Sequence, residues 1–236
     1  MHTVAGRRLL LPVPSGAVNA RRVIRLPAHV AGVRPLTHDT YEVVVVTATG
    51  SPPLDARAGQ FATLEVRGVA RPRPYSFARD PRDEAPGHYT FFIRTVPDGE
   101  FSAWLRDGDH TGEAMTIAGP IGAFTLDDGG LPMLLLAGGS GLSAVKALAE
   151  EACRRQLPRD CLFLYGARSR DDLYMQDEIA ALARRWQHDH RLELVQVLSD
   201  EGLDSAWSGA RGLVTDHLRA VLATQPPWAA GWSLLR

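Results

Sequence analysis

Met133-Leu134-Leu135-Leu136-Ala137 runs directly into Gly138-Gly139-Ser140-Gly141-Leu142-Ser143-Ala144, after which Leu142 to Arg155 carries apolar residues at helical spacing. A strand, a glycine turn and a helix in that order begin a βαβ unit. The alternation continues with strands at Cys161 to Tyr165 and Leu192 to Leu198 and helices at Asp177 to Trp186 and Val214 to Leu222. This predicts a parallel sheet covered on both faces.

Upstream the texture is different. From His29 to Ile117 short β segments alternate with turn residues: Tyr41 to Val46, Phe61 to Val66 and Tyr89 to Arg94, punctuated by Ser51-Pro52-Pro53 and by Pro81 to Pro86. Strands at short spacing with little helix predict a small antiparallel barrel. The change of texture places a boundary near Asp127 to Leu131. The expected division is a basic leader at 1–27, a β-barrel domain at 28–128 and an α/β domain at 131–236.

The chain's 236 residues suffice for two domains with separate cores. With 26 basic and 27 acidic side chains there is no bulk charge to attract nucleic acid, and no apolar stretch reaches the length of a membrane span. The two cysteines, Cys153 and Cys161, support neither a disulfide framework nor a metal site, so a reducing, cytoplasmic setting is expected. An iron–sulfur cluster needs four ligands, so such a centre is expected on another chain. Arg7, Arg8, Arg21, Arg22, Arg25 and Arg34 precede the first acidic residue, Asp39. A solvated leader, a docking face for an acidic partner and a targeting segment all remain open for that stretch.

Three segments of the first half carry chemistry suited to a flavin. Arg73-Pro74-Tyr75-Ser76 offers a cation, an aromatic face and a hydroxyl, and strand alternation puts Arg73 and Tyr75 on one face and Ser76 on the other. Pro74 marks an edge strand. Gly99-Glu100-Phe101-Ser102 opens a short helix after Ile93-Arg94, so unpaired N–H groups and the Ser102 hydroxyl could meet a pyrophosphate. Ala118-Gly119-Pro120-Ile121-Gly122-Ala123-Phe124 allows close backbone approach where the barrel meets the next domain. A core tyrosine on a barrel edge and a capped helix plugging the barrel are the structural alternatives for the first two.

In the second half, Gly139 to Ala144 fits G-x-G-x-x-A between a strand and a helix, the setting in which backbone N–H groups hold a dinucleotide pyrophosphate. The next strand ends in Arg168-Ser169-Arg170-Asp171-Asp172, which offers arginines for a 2′-phosphate and carboxylates for ribose hydroxyls. Both NADH and NADPH stay open at that point.

These motifs, in this order, resemble the ferredoxin–NADP reductase superfamily, in its branch of reductases that serve ring-hydroxylating dioxygenases and monooxygenases. The resemblance covers about Ala31 to Leu222. It implies a six-stranded antiparallel FAD-binding barrel followed by a parallel-sheet nucleotide-binding domain. It further implies hydride transfer from NADH or NADPH to FAD, then electron delivery to an iron–sulfur ferredoxin or an oxygenase component. Tyr75 and Ser76 are the expected catalytic residues beside the flavin ring. Arg73, Pro74, Ile93, Arg94, Gly99, Phe101 and Ser102 are the further expected flavin contacts; Gly138, Gly139, Ser140, Gly141, Arg168 and Arg170 are those of the dinucleotide. Family members continue into a Cys-Gly-Pro-Pro segment that this sequence lacks, so slow turnover, an FAD-binding sensor or a truncated product are the alternatives.

Overall fold

The computed structural model describes residues 22–224 and 233–234. Most of the expected leader lies outside them. β1 (Ile24–Pro35) already belongs to the barrel, so residues 24–27 are strand rather than leader. Pro27 and Pro35 and a bulge between Val30 and Gly32 obscure its alternation in sequence.

The first half is an antiparallel six-stranded sheet in the order β4-β3-β6-β1-β2-β5. Its other strands are β2 (Thr40–Thr47), β3 (Phe61–Val66), β4 (Arg73–Ser76), β5 (His88–Arg94) and β6 (Ala114–Ile121). Alternate side chains such as Val30, Val43, Val45, Leu64 and Ile117 fill the interior. The helix α1 (Glu100–Arg106) turns Phe101 and Leu105 into the same core. The two edge strands β4 and β5 nearly meet: a single bridge, Phe77 to Phe91, joins them just past the end of β4.

The second half is a parallel sheet in the order β10-β9-β8-β7-β11. It comprises β7 (Met133–Gly138), β8 (Cys161–Ala167), β9 (Leu192–Leu198), β10 (Ala210–Arg211) and β11 (Ser233–Leu234). The helices α2 (Leu142–Arg154) and α3 (Gln176–Arg185) cover one face, and α4 (Val214–Thr224) packs on Leu134, Leu162 and Leu164 of the other. Chain order reverses at β7, between β8 and β11, and open α/β sheets bind ligands at the carboxyl ends of strands beside such a reversal.

The two halves share a core. Ala78 and Phe92 of the barrel belong to the same buried cluster as α2, α3 and the sheet. Around it runs an ionic seam. Lys146 is fully buried and bonds Glu150 at 2.5 Å and Glu178 at 2.9 Å, while Arg79 of the barrel reaches Glu178 at 3.1 Å and Arg154 reaches the buried Asp80 at 2.6 Å.

Candidate functional site

Beyond the Phe77–Phe91 bridge no ladder joins β4 to β5 among the described residues, which leaves a slot in the hydrogen bonding between their edges. Arg73 and Tyr75 pair in register with the buried Leu64 and Ala62 and share one strand face; Ser76 pairs with Phe61 and takes the other. The Tyr75 ring lies 5.2 Å from that of Phe101, centroid to centroid. Burial pushes its hydroxyl up to about 12 against the pull of Arg73, so it remains a neutral phenol at working pH. Arg73 has no ion-pair partner among the described residues.

Other expected contacts are placed differently. Ile93 is a barrel core side chain, so only its backbone can line the slot. Phe101 is likewise buried and supports Tyr75 from the core. Gly99 caps α1, where a Cβ would come within 2.8 Å of the Val96 side chain. The Ser102 hydroxyl accepts the Val96 N–H at 2.9 Å, which holds the turn and leaves its own proton to donate. The slot therefore fits a flavin by its donor set: an unpaired strand edge, a half-buried ring, an unpaired cation and a hydroxyl with a free proton.

The end of β5 reaches the glycine turn of the second half. Gly139 begins a short 3-10 turn at φ +52°, a left-handed conformation that glycine takes without strain. A Cβ there would sit 3.5 Å from Arg94 Nη1. Tyr174 donates its hydroxyl to the Gly139 carbonyl at 3.0 Å and packs edge-on against Phe92, so the flavin strand and the nucleotide turn are braced by one side chain. Gly138, Ser140 and Gly141 complete an exposed turn at the start of α2. In the first turn of that helix the Ser143 hydroxyl is buried without a partner among the described residues.

A cleft with about 600 Å³ of empty space runs from this turn over the ends of β8 and β9. Asp39, Arg94, Gly139, Arg168, Asp172 and Ser199 line it, with Gly166 at its floor, where a Cβ would strike Val214 of α4 at 2.8 Å. Arg168 donates to Asp172 at 3.1 Å. Arg170 is elsewhere: it lines a separate depression with Asp171, Glu201 and Trp207. The two arginines expected at the dinucleotide thus line different depressions. Between the arginines, the Ser169 backbone N–H and hydroxyl both donate to Asp172, and the 3-10 turn they open rotates Arg170 away from Arg168.

The sequence reading missed Asp39 and Tyr174. Asp39 sits in the β1–β2 turn, where its Oδ2 accepts the Arg94 Nε–H at 2.8 Å and lies 3.7 Å from Arg168. No local pattern marks either residue; both reach the site by packing between the halves. His38, Asp39 and Asp172 bring ligand atoms within 4.8 Å of one another, but Arg94 and Arg168 already occupy these carboxylates.

An antiparallel barrel beside a parallel sheet with a glycine turn is the two-domain layout of FAD- and NAD-binding oxidoreductase domains. Two family profiles match: the oxidoreductase FAD-binding domain over residues 27–126 and the oxidoreductase NAD-binding domain over 135–227. The xylene/toluene monooxygenase electron transfer component of Pseudomonas putida is 37% identical over 226 residues, covering 96% of this chain and 59% of that protein. Among solved structures, an Amycolatopsis cytochrome P450 reductase superposes with a TM-score of 0.76 at 31% identity, over 90% of this chain and 61% of that one. The ferredoxin reductase of carbazole 1,9a-dioxygenase gives 0.74 at 30%, over 89% and 60%. The chain thus joins an oxidoreductase FAD-binding domain to an oxidoreductase NAD-binding domain in the fold of the ferredoxin reductases, and it spans about three fifths of the length of these relatives.

Proposed function

We propose that this chain passes electrons from a reduced nicotinamide dinucleotide through FAD to an iron–sulfur ferredoxin or an oxygenase component. The observation that carries the proposal is the junction of Arg94 with the Gly139 turn, because it sets a flavin slot and a pyrophosphate turn side by side. Bound in the slot, FAD would take a hydride from the dinucleotide and release the electrons one at a time.

The chain's own residues then have positioning roles. Tyr75 offers a neutral aromatic face and Ser76 a hydroxyl at the slot's edge. Arg73 and the Ser102 turn supply charge and donors for the flavin's phosphates, while Gly138 to Gly141 receive the dinucleotide pyrophosphate. No side-chain acid or base is needed; rate depends on how rigidly the two ligands are held together. The Tyr174 brace and the buried Lys146 seam supply that rigidity.

We assign the FAD-binding unit to residues 28–128, extended back to Ile24, and the nucleotide unit to 131–236. A cytoplasmic location is proposed on two buried free thiols, and among the described residues no helix is long and apolar enough to cross a membrane. The test is a visible spectrum of purified protein, followed by NADH under anaerobic conditions. A yellow protein that bleaches is expected; a protein that stays colourless after incubation with FAD would overturn the proposal.

A further inference from the structure

Arg168 stands at the end of the second strand of the parallel sheet, where a dinucleotide's adenine ribose is read, and its charge is already paired. Asp172 accepts its Nη2–H at 3.1 Å, and Asp39 approaches from the barrel at 3.7 Å. The other cation of the cleft, Arg94, donates its Nε–H to Asp39 at 2.8 Å. Two arginines therefore face two carboxylates, with His38 3.6 Å from Asp39 and 3.7 Å from Asp172, so the arginine charge is largely offset before a phosphate dianion arrives.

Asp39 is also fixed in place. Its Oδ1 accepts from the hydroxyls of Thr37 at 3.1 Å and Thr40 at 3.0 Å, and its backbone carbonyl accepts the Thr95 N–H at 2.7 Å. Burial raises its carboxyl, but the hydrogen bonds from Arg94, Thr40 and Thr37 outweigh it and hold the group below its ordinary value. A held carboxylate repels an incoming phosphate, whereas it accepts hydrogen bonds from a ribose diol.

We infer that Asp39, a residue of the flavin barrel, is a specificity determinant of the nucleotide cleft. By screening Arg94 and Arg168 it admits dinucleotides with free adenine-ribose hydroxyls and disfavours those with a 2′-phosphate. The inference rests on the proposed function, since it takes the cleft to be the dinucleotide site.

The test is calorimetric binding of ADP-ribose and of 2′-phospho-ADP-ribose to the FAD-loaded protein, which requires no turnover. The native protein is expected to bind ADP-ribose more tightly. Asp39→Asn keeps an oxygen for the threonine hydroxyls but removes the charge, so its affinity for the 2′-phosphorylated ligand should rise about tenfold relative to ADP-ribose. Asp39→Glu, which restores a carboxylate, should return the preference toward that of the native protein. An unchanged ratio in Asp39→Asn, with both ligands bound, overturns the role of Asp39 while leaving the site intact. No binding of either ligand by the native protein overturns the site reading and this inference together.

Discussion

Arg73→Ala and Arg79→Ala should fail in opposite ways. Arg73 has no ion-pair partner among the described residues and lies on the edge strand β4, proposed here to hold the flavin, so its removal leaves the apoprotein's ion pairs intact. What it removes is a charge-assisted contact to the flavin phosphates, worth about 1.5–3 kcal/mol, or about ten- to a hundredfold in FAD affinity. Arg79 lies only six positions on in the sequence yet belongs to the seam, where it reaches Glu178 at 3.1 Å and Glu42 at 3.5 Å. Its side chain is 35% exposed, so losing these pairs should cost about 1–2 kcal/mol. For a protein of this size that lowers Tm by about 2–8 °C. The assays are FAD titration of the apoprotein and its thermal melt. The expected pattern is weak FAD binding with a normal melt for Arg73→Ala, and the reverse for Arg79→Ala. Equal FAD affinity in the two variants would refute the placement of Arg73 at the phosphates.

Three further outcomes are expected. Arg168→Ala should widen the preference for NADH over NADPH in stopped-flow flavin reduction, because it leaves Asp39 and Asp172 less balanced, while Arg170→Ala should change it by less than about twofold; an Arg170 effect as large as that of Arg168 would show that the two act together. Lys146→Met takes the buried ammonium from Glu150 and leaves Glu178 to Arg79 alone, and should lower unfolding free energy by about 3 kcal/mol in a denaturant titration; an unchanged midpoint and slope would contradict this. Burial raises the Glu178 carboxyl, but Lys146 and Arg79 outweigh it and hold the group below 4.5, so its stabilisation is present above pH 4.5 and is lost as the pH falls through the folded value. Glu178→Gln should flatten that acid limb of stability against pH, and superimposable limbs would exclude the linkage.

The fold class, the order of the two halves and the strand carrying Arg73 to Ser76 were legible in the sequence because each depends on local periodicity. Alternation marks a half-buried strand, an apolar run followed by a glycine turn marks a parallel strand entering a helix, and neither signal needs a distant partner. The glycine turn at Gly138 to Gly141 was legible for the same reason. The first strand was harder to see, since two prolines and a bulge break its pattern. The separation of Arg168 from Arg170 was not legible: a 3-10 turn held by Ser169 and Asp172 sends the side chains to different clefts.

The meeting of the two halves was decided by tertiary structure alone. Asp39 and Arg168 are distant in sequence and Asp39 lies in a turn without a motif, yet the shared core of Phe92 and Tyr174 brings them to 3.7 Å. Lys146 reads in sequence as an ordinary helical lysine; only the packing of α2 against the barrel buries it between two carboxylates. Local patterns are set by hydrogen bonding and burial along a few residues. The charge balance of the cleft is set by which carboxylates the packed cores carry to which arginines, and that depends on the whole fold.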